Sequence, residues 1–135
     1  MRLTASVRKF LERERVVRVA TVGRDGVPQV VPVCHMMKDG KIYFAADTQS
    51  KKVKNLRAHP QAAVEADLYS EDWPHLAGAV VTGPATLIDR GPHFRQLRSL
   101  LYQNYPQYAA DSALKQGEVV MVEVIPSRLV SWGLD

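Results

Sequence analysis

The residues best suited to chemistry stand together in one basic segment, Ser50-Lys51-Lys52-Val53-Lys54-Asn55-Leu56-Arg57. A predicted β-strand precedes this segment and a predicted helix begins in it, so free backbone N–H groups and the positive end of the helix dipole face any nearby anion. The Ser50 hydroxyl and the ammonium groups of Lys51 and Lys52 add to this attraction. The segment therefore suits a phosphate monoester, although sulfate or a nucleic-acid phosphate fits equally well, and a solvated helix face has the same composition.

Several common kinds of catalytic site are absent from the sequence. It contains no HExxH, CxxC, GxSxG or Walker motif, and no catalytic residue is identified. Cys34, the only cysteine, precedes His35, but neighbouring residues on a strand point to opposite faces and do not form a nucleophile–base pair. Cys34 is therefore interpreted as a packing residue. No metal site is predicted, because metal-ligand spacing is missing from the four histidines, His35, His59, His75 and His93.

Trp132 lies at the end of the last predicted strand. A tryptophan in this place most often packs in the core or at an interface, and it can also form a flat wall beside an aromatic ligand. Its position alone favours packing.

The length and composition predict one globular domain spanning residues 1–135. The chain has 18 Lys and Arg against 14 Asp and Glu, and the net charge of +4 mildly favours anionic ligands. No apolar run approaches the ~20 residues of a membrane helix, and no signal peptide is recognised, so a cytoplasmic location without membrane contact is expected. Nucleic acid is not an expected partner, because the few aromatic residues do not interleave with the basic segment.

The first half of the chain predicts one helix followed by three strands. Apolar residues spaced three and four apart predict a helix over Thr4–Glu14. Alternating or β-branched runs predict strands over Val16–Val22, Val27–His35 and Lys41–Ala46. Two Asp-Gly turns separate these strands, so we expect an antiparallel meander.

The second half continues the same pattern. It predicts helices over Ser50–His59 and Pro92–Tyr105, and strands over Ala62–Tyr69, Gly78–Ile88, Val119–Ile125 and Arg128–Trp132. The strand Gly78–Ile88 is expected to be broken by a bulge or bend at Gly83-Pro84. The whole is predicted to be mainly β, of the α+β class, with six or seven antiparallel strands closed into a barrel and small peripheral helices, because closure removes exposed edges.

An ordered set of short motifs carries a family resemblance. The set runs through Arg18-Val-Ala-Thr-Val, Asp25-Gly-Val-Pro, Pro32-Val, Asp39-Gly-Lys-Ile-Tyr-Phe, Ser50-Lys-Lys-Val-Lys-Asn-Leu, His59-Pro, Asp67-Leu-Tyr-Ser-Glu-Asp-Trp, Gly83-Pro-Ala and Pro126-Ser-Arg-Leu-Val-Ser-Trp-Gly. It resembles the pyridoxamine 5'-phosphate oxidase-like FMN-binding split barrels, a family of flavin and deazaflavin oxidoreductases, over roughly residues 10 to 133. The split-barrel form of the predicted barrel is what this resemblance implies.

The resemblance also implies a cofactor site. It implies FMN in a groove between the two subunits of a homodimer, with Lys51 and Lys52 on the phosphate and Ser50 before them, as in the family. Gly78 matches a position where the pyridoxamine oxidases have a glutamine beside the flavin, and Trp132 matches a tryptophan near the flavin. The segments implied to line the ribityl chain and the ring are Val30, Val31, Pro32 and Val33 on one strand and Ala45 and Ala46 on the next.

The implied function is an FMN-dependent oxidoreductase that transfers two electrons to an unidentified small-molecule substrate. Pyridoxamine oxidases continue past this tryptophan into a basic segment that grips the substrate phosphate, whereas the sequence ends at Asp135. Vitamin B6 oxidation is therefore not expected. The loop Glu71-Asp72-Trp73 is similar to that of uncharacterised members and of members that use the deazaflavin F420. An F420-dependent reductase and a non-catalytic flavin- or haem-binding module are the alternatives.

Overall fold

The computed structural model describes residues 1–134 and, at residue 111, the backbone only. Its strands are β1 (Val16–Val22), β2 (Pro28–Lys38), β3 (Lys41–Asp47), β4 (Gln61–Leu68), β5 (Ala77–Ile88), β6 (Val119–Val124) and β7 (Arg128–Trp132). Its helices are α1 (Ala5–Arg13), α2 (Lys51–Ala58), α3 (Gly91–Asn104) and α4 (Gln107–Asp111), and a 3₁₀ turn spans Trp73–His75.

Six of the strands close into an antiparallel barrel in the order β1-β2-β3-β6-β5-β4, with β4 paired back to β1. The strand β7 pairs with β5 outside this ring. The predicted meander of β1, β2 and β3 is confirmed, and so is the mainly β barrel. The sequence could not decide between six and seven strands, and the structure has six in the ring and one added.

Two strands change partners along their length, which splits the barrel into two sheets. β2 pairs with β1 over Pro28–Cys34 and with β3 over His35–Lys38. β5 pairs with β4 and β7 before Ala85 and with β6 from Ala85 onward. β5 runs through Gly83-Pro84 without interruption, and its change of partner follows directly after this dipeptide, where the sequence predicts a bulge or bend. A Cβ on Gly83 would lie 1.8 Å from the Ile125 carbonyl oxygen, so glycine lets the chain between β6 and β7 approach closely.

Apolar side chains fill the barrel and the space beneath α3. The barrel core includes Phe10 and Leu11 of α1, Phe44 of β3 and Leu56 of α2. A second cluster places Phe94, Leu97 and Leu101 of α3 against Met36, Tyr43 and Met121 on the outside of the barrel. The predicted apolar faces of α1 and α3 are therefore the faces that pack.

The short helix α4 is not anticipated by the sequence analysis. Pro106 ends α3 as expected, but the same proline then stands at the N-cap of α4. Proline suits the start of a helix because it lacks the N–H that would have no partner there. Five residues are too few for apolar periodicity to reveal a helix. Within residues 1–134, no helix is long and apolar enough to cross a membrane.

Candidate functional site

The N-terminus of α2 forms a corner directly after β3, and Ser50 builds it. The Ser50 hydroxyl donates to the Asp47 carbonyl oxygen at 2.7 Å and accepts from the Val53 backbone N–H at 3.4 Å. Ser50 is thus the N-cap of α2, at the predicted start of this helix. The backbone N–H groups of Lys51 and Lys52, in the first turn, donate to no other residue that the structure describes. These two donors remain available to an anion, as the first N–H groups of a helix generally are.

The two lysines of this corner differ in their surroundings. The Lys51 ammonium lies 3.1 Å from the Asp25 carboxylate in the turn between β1 and β2. The Val27 backbone N–H, and then Lys51, hold the pKa of Asp25 below its usual value. Lys52 is half-buried and makes no ion pair or hydrogen bond with any residue in the described part of the chain. Lys52 is therefore the cation of the corner whose charge is uncompensated.

A buried asparagine fixes α2 against β1, and the sequence analysis did not single it out. Asn55 is 1% exposed, and its side-chain amide donates to the Thr21 hydroxyl at 3.1 Å. A Cβ on Gly23 would lie 2.3 Å from the Asn55 amide oxygen, so this glycine makes room for the asparagine. The available signal was a polar residue between Val53 and Leu56, the apolar positions of α2 that face the core.

The strand residues predicted to line the cofactor do not share one surface. On β2, Val30 and Pro32 are exposed on the outside, whereas Val31 lies opposite the buried Val19 and Val33 packs against the barrel core. Strand alternation makes this division unavoidable.

The two predicted alanines of β3 are divided in the same way. Ala46 is 4% exposed in the barrel core, and Ala45 packs outside the barrel in the cluster beneath α3. At most one of these two side chains can face a ligand held at one surface.

Gly78 and Trp132 are brought together as direct neighbours on β5 and β7. A Cβ on Gly78 would lie 2.2 Å from Cζ2 of Trp132, so the indole ring lies against the Gly78 backbone. The glycine and the tryptophan therefore form one surface. A glutamine at position 78 would need the indole to move.

This Gly78–Trp132 pair and the α2 corner lie at opposite ends of one sheet. Asn55 of α2 contacts Thr21, near the end of β1. Gly78 pairs with Asp67 on β4. Two residues earlier on β4, Glu65 pairs with Arg18 of β1, so Asp67 and Gly78 are level with the start of β1. Five strand residues separate the two levels, which is about 17 Å. The two parts of the predicted site are therefore separated along the length of the sheet.

The outside of the sheet formed by β2, β1, β4, β5 and β7 is largely apolar, and we call it the apolar outer face. Its exposed apolar residues are Val16, Val22, Pro28, Val30, Pro32, Val130 and Trp132. Arg18 lies among them and pairs with Glu65 at 3.4 Å and Asp67 at 3.1 Å. Burial, and then the neighbouring Asp67 carboxylate, raise the pKa of Glu65.

A cavity of about 440 Å³ opens at the edge of this face, between the start of β1 and the helices α3 and α4. Its lining includes Cys34, Tyr105 and Tyr108, and the Arg15 guanidinium lies 4.3 Å from the centre of the Tyr105 ring. Burial raises the pKa of Tyr108 to about 12, so its hydroxyl stays protonated at neutral pH. Cys34 thus lines a cavity as well as packing beneath α3.

The His35 ring is hydrogen-bonded within the fold and does not act as a base for Cys34. Its Nε2 lies 2.7 Å from the Leu11 carbonyl oxygen, and the ring is 2% exposed. Burial lowers the pKa of His35, which favours the neutral ring. In the part of the chain that the structure describes, no three or more His, Cys, Asp or Glu side chains are grouped so that they could hold a metal ion.

The fold is a split β-barrel whose helix N-terminus offers free donors and an uncompensated lysine. The family model described as pyridoxamine 5'-phosphate oxidase matches residues 3–132. The chain therefore belongs to the pyridoxamine 5'-phosphate oxidase-like family, as the sequence motifs predicted. No curated protein shows a significant match to the chain.

Solved structures share this fold at low sequence identity. HutZ, the heme storage protein from Vibrio cholerae, superimposes with a TM-score of 0.79 at 15% identity, covering 96% of this chain and 94% of HutZ. A FAD-binding protein from Mesorhizobium loti gives a TM-score of 0.76 at 22% identity, covering 96% and 93%. An F420 reductase gives 0.70 at 22% identity, covering 95% and 98%. These similarities establish the fold.

Proposed function

We propose that the protein is an FMN-dependent oxidoreductase that holds the cofactor phosphate at the N-terminus of α2. The observation that carries the proposal is Lys52, a half-buried cation without a partner in the described structure, beside two free backbone N–H groups. A phosphate supplies the negative charge and the acceptor oxygens that this corner lacks. The residues present therefore fit a phosphorylated cofactor.

When bound, a flavin supplies the two-electron chemistry itself, so the protein needs no acid–base pair of its own. The roles left to this chain are binding, orientation and exclusion of water. Lys52 and the first turn of α2 anchor the phosphate, and Ser50 keeps that turn in place. Trp132, partly exposed over Gly78, offers a flat apolar surface suited to a ring system.

The proposed site is completed by a second copy of the chain. Within a single chain the α2 corner and Trp132 lie at opposite ends of the sheet, about 17 Å apart along the strands. The apolar outer face lies between them and includes Val30 at 65% and Val130 at 57% exposure. When a second copy of the chain covers this face, apolar area is removed from water. The same contact can bring the α2 corner of one subunit to Trp132 of the other.

The cavity beside Cys34 is our proposed place for the small-molecule substrate. It adjoins the apolar outer face through Val16, and the rings of Tyr105 and Tyr108 form part of its wall. Its one cation, Arg15, already donates to the Asn104 carbonyl oxygen and stacks on Tyr105. This lining favours a substrate without a phosphate group, because a phosphate needs uncommitted cationic donors.

Two alternatives use the same fold. An F420-dependent reductase is supported by the structural similarity to an F420 reductase, and the α2 corner suits the phosphate of either cofactor. A non-catalytic flavin- or haem-binding module is supported by the similarity to HutZ and to a FAD-binding protein.

The absorption spectrum and mass of the cofactor that copurifies with the protein separate these candidates. FMN with reduction by a chemical donor and reoxidation by a quinone supports the oxidoreductase. Bound F420 moves the protein to the deazaflavin reductases. Haem, or FMN that no acceptor reoxidises, contradicts the proposed activity and favours a binding module.

A further inference from the structure

A group of charged side chains lies in the middle of the apolar outer face, and we call it the charged cluster. It consists of Arg18 on β1 and of Glu65 and Asp67 on β4. Strand pairing places the cluster in a row that crosses all five strands of the face, through Pro32, Arg18, Glu65, Val80 and Val130. The row begins and ends with exposed apolar residues, and its charges lie near its centre.

The charged cluster contains one more negative charge than positive charge. Nη1 of Arg18 lies 3.4 Å from Oε1 of Glu65 and 3.1 Å from Oδ1 of Asp67, so one guanidinium serves two carboxylates. Both carboxylates are partly exposed in the single chain, where water stabilises the excess charge. Burial, and then Asp67, already raise the pKa of Glu65, so Glu65 holds a proton more readily than a fully solvated glutamate does.

A second copy of the chain on this face would remove water from the charged cluster. In an isologous contact each copy uses the same surface, so residues near the centre of that surface lie close to their counterparts. The excess negative charges of the two copies then approach each other among apolar side chains, which is unfavourable. A proton on one carboxyl of each copy removes the excess charge and leaves one carboxylate for each Arg18 guanidinium.

Other charged or titratable groups border the apolar outer face and do not reach its centre. They are Cys34 on β2, His59 after α2, Glu71 in the loop after β4 and Arg128 on the edge strand β7, whereas β5 contributes none. His59 lies beside Gln61, at the opposite end of β4 from Asp67. A proton on His59 would add a positive charge to a covered face, so it would weaken association.

We propose that the two copies associate through this face in a pH-dependent way, with the charged cluster of each copy taking up a proton as the face is covered. The inference rests on the proposed homodimer. Covering the face raises the pKa of a cluster carboxyl above its value in the single chain. Between these two values the dimer binds more protons than two separate chains, so association strengthens as the pH falls.

The direction of this pH dependence separates the charged cluster from general charge. The chain has a formal net charge of +4 at pH 7, and this charge rises as carboxylates and histidines take up protons. Repulsion between two copies therefore grows on acidification and weakens association. Stronger association at lower pH requires a local group that becomes neutral when it is protonated, as a carboxyl of the charged cluster does.

The test measures the dimer dissociation constant by sedimentation at pH 5.5, 6.5, 7.5 and 8.5 and constant ionic strength, on the full chain with its copurified cofactor. The variant is Glu65→Gln, which removes one carboxylate and keeps Asp67 for Arg18. The matched control is Glu118→Gln, the same substitution at an exposed residue before β6. His59→Gln tests the histidine at the edge of the face. Thermal unfolding of each protein at each pH checks that the fold is kept.

We expect the wild type to associate at least about tenfold more tightly at pH 5.5 than at pH 8.5, since one proton per dimer changes the dissociation constant by up to about tenfold per pH unit. Glu118→Gln and His59→Gln should keep this pH dependence. Glu65→Gln should lose most of it and associate at pH 8.5 at least about tenfold more tightly than the wild type. A damaged fold would not produce such a gain of association.

Three results contradict the inference while the proposed homodimer stands. The first is a wild-type dissociation constant that is unchanged or larger at pH 5.5. The second is weaker association of Glu65→Gln, which would mean that Glu65 meets a cation of the partner subunit. The third is a pH dependence that disappears in His59→Gln. If the wild type is monomeric at every pH, the proposed homodimer fails and the inference fails with it.

Discussion

Gly78 and Trp132 show how a single residue pair sets the shape of the proposed ring surface. The indole lies where a side chain on residue 78 would have to be, and the two residues are partners across β5 and β7. The family resemblance identified both positions from the sequence. Their contact could not be identified, because it depends on strand pairing between residues more than fifty positions apart.

Replacing Gly78 should lower the stability of the protein only while the indole of Trp132 is present. We expect Gly78→Ala to lower the free energy of unfolding by about 1–3 kcal/mol, because the new Cβ overlaps the ring. The measurement is urea unfolding of the wild type, the two single variants and the double variant with Trp132→Ala. In the Trp132→Ala background the cost should be much smaller. An equal cost in both backgrounds would refute the contact.

Lys52 should contribute more to cofactor affinity than Lys51. A charge-assisted hydrogen bond to phosphate is worth about 1.5–3 kcal/mol, which is roughly tenfold or more in affinity. We expect Lys52→Ala to weaken FMN binding by at least about tenfold. Lys51→Ala should cost less, because Lys51 is held by Asp25.

Titration followed by flavin fluorescence checks this ranking, with Lys115→Ala as a control for the loss of one surface charge. Unchanged FMN and F420 affinity in Lys52→Ala would remove its phosphate role. A lower stability without a change in affinity would assign Lys52 to the helix face instead.

At the scale of elements, local sequence signals predicted where α2 lies in the chain, but not how α2 packs against β1. The sequence predicts a helix over Ser50–His59, and the structure has α2 at Lys51–Ala58 with Ser50 as its N-cap. Asn55 was missed, because its partner Thr21 is on another element. The family resemblance implies Val30 to Val33 as one lining segment, whereas strand alternation divides their side chains between two faces. Periodicity identifies the faces of a strand, but not which face meets a ligand.

A pH-dependent contact joins β2 to α1. The neutral His35 ring donates from Nε2 to the Leu11 carbonyl oxygen, and Nδ1 is buried without a partner among the described residues. Burial lowers the pKa of His35 in the folded protein. The contribution of His35 to the free energy of unfolding is therefore complete above the unfolded-state pKa of about 6.5. This contribution is lost as the pH falls from that value toward the folded-state pKa.

We therefore expect the free energy of unfolding to fall between pH 7 and pH 5, and to fall less in His35→Gln, whose amide can donate but cannot be protonated. Denaturant unfolding at both pH values measures the difference. The same pH dependence in both proteins would show that His35 does not titrate on unfolding.

At the scale of the molecule, the barrel has one broad exposed apolar surface, and the two parts of the proposed cofactor site lie apart on it. Sequence motifs and periodicity predicted the barrel and the meander of its first three strands. They did not show that Trp132 and the α2 corner lie at opposite ends of a sheet, since that follows from the long-range pairing of β1, β4 and β5. The exposed apolar outer face is the main structural support for the proposed homodimer.

We expect the protein to sediment at twice the monomer mass at micromolar concentration, with an interface above the ~1,200 Å² typical of stable complexes. Val130→Asp should shift it to monomer and weaken FMN binding together, because a charge placed in a buried apolar interface is costly. The control is Ser99→Asp, on the exposed side of α3. A wild type that is monomeric and binds FMN fully would contradict the shared site.

The most direct test of the central claim compares the binding of FMN and riboflavin to the wild-type protein by calorimetry. The two ligands have the same ring and ribityl chain and differ in the phosphate alone. The proposed corner predicts one FMN per chain and an affinity for riboflavin lower by about a factor of ten to a hundred or more, the value of one or two charge-assisted bonds. Equal affinities for FMN and riboflavin, or no binding of FMN, would contradict a phosphate site at the N-terminus of α2.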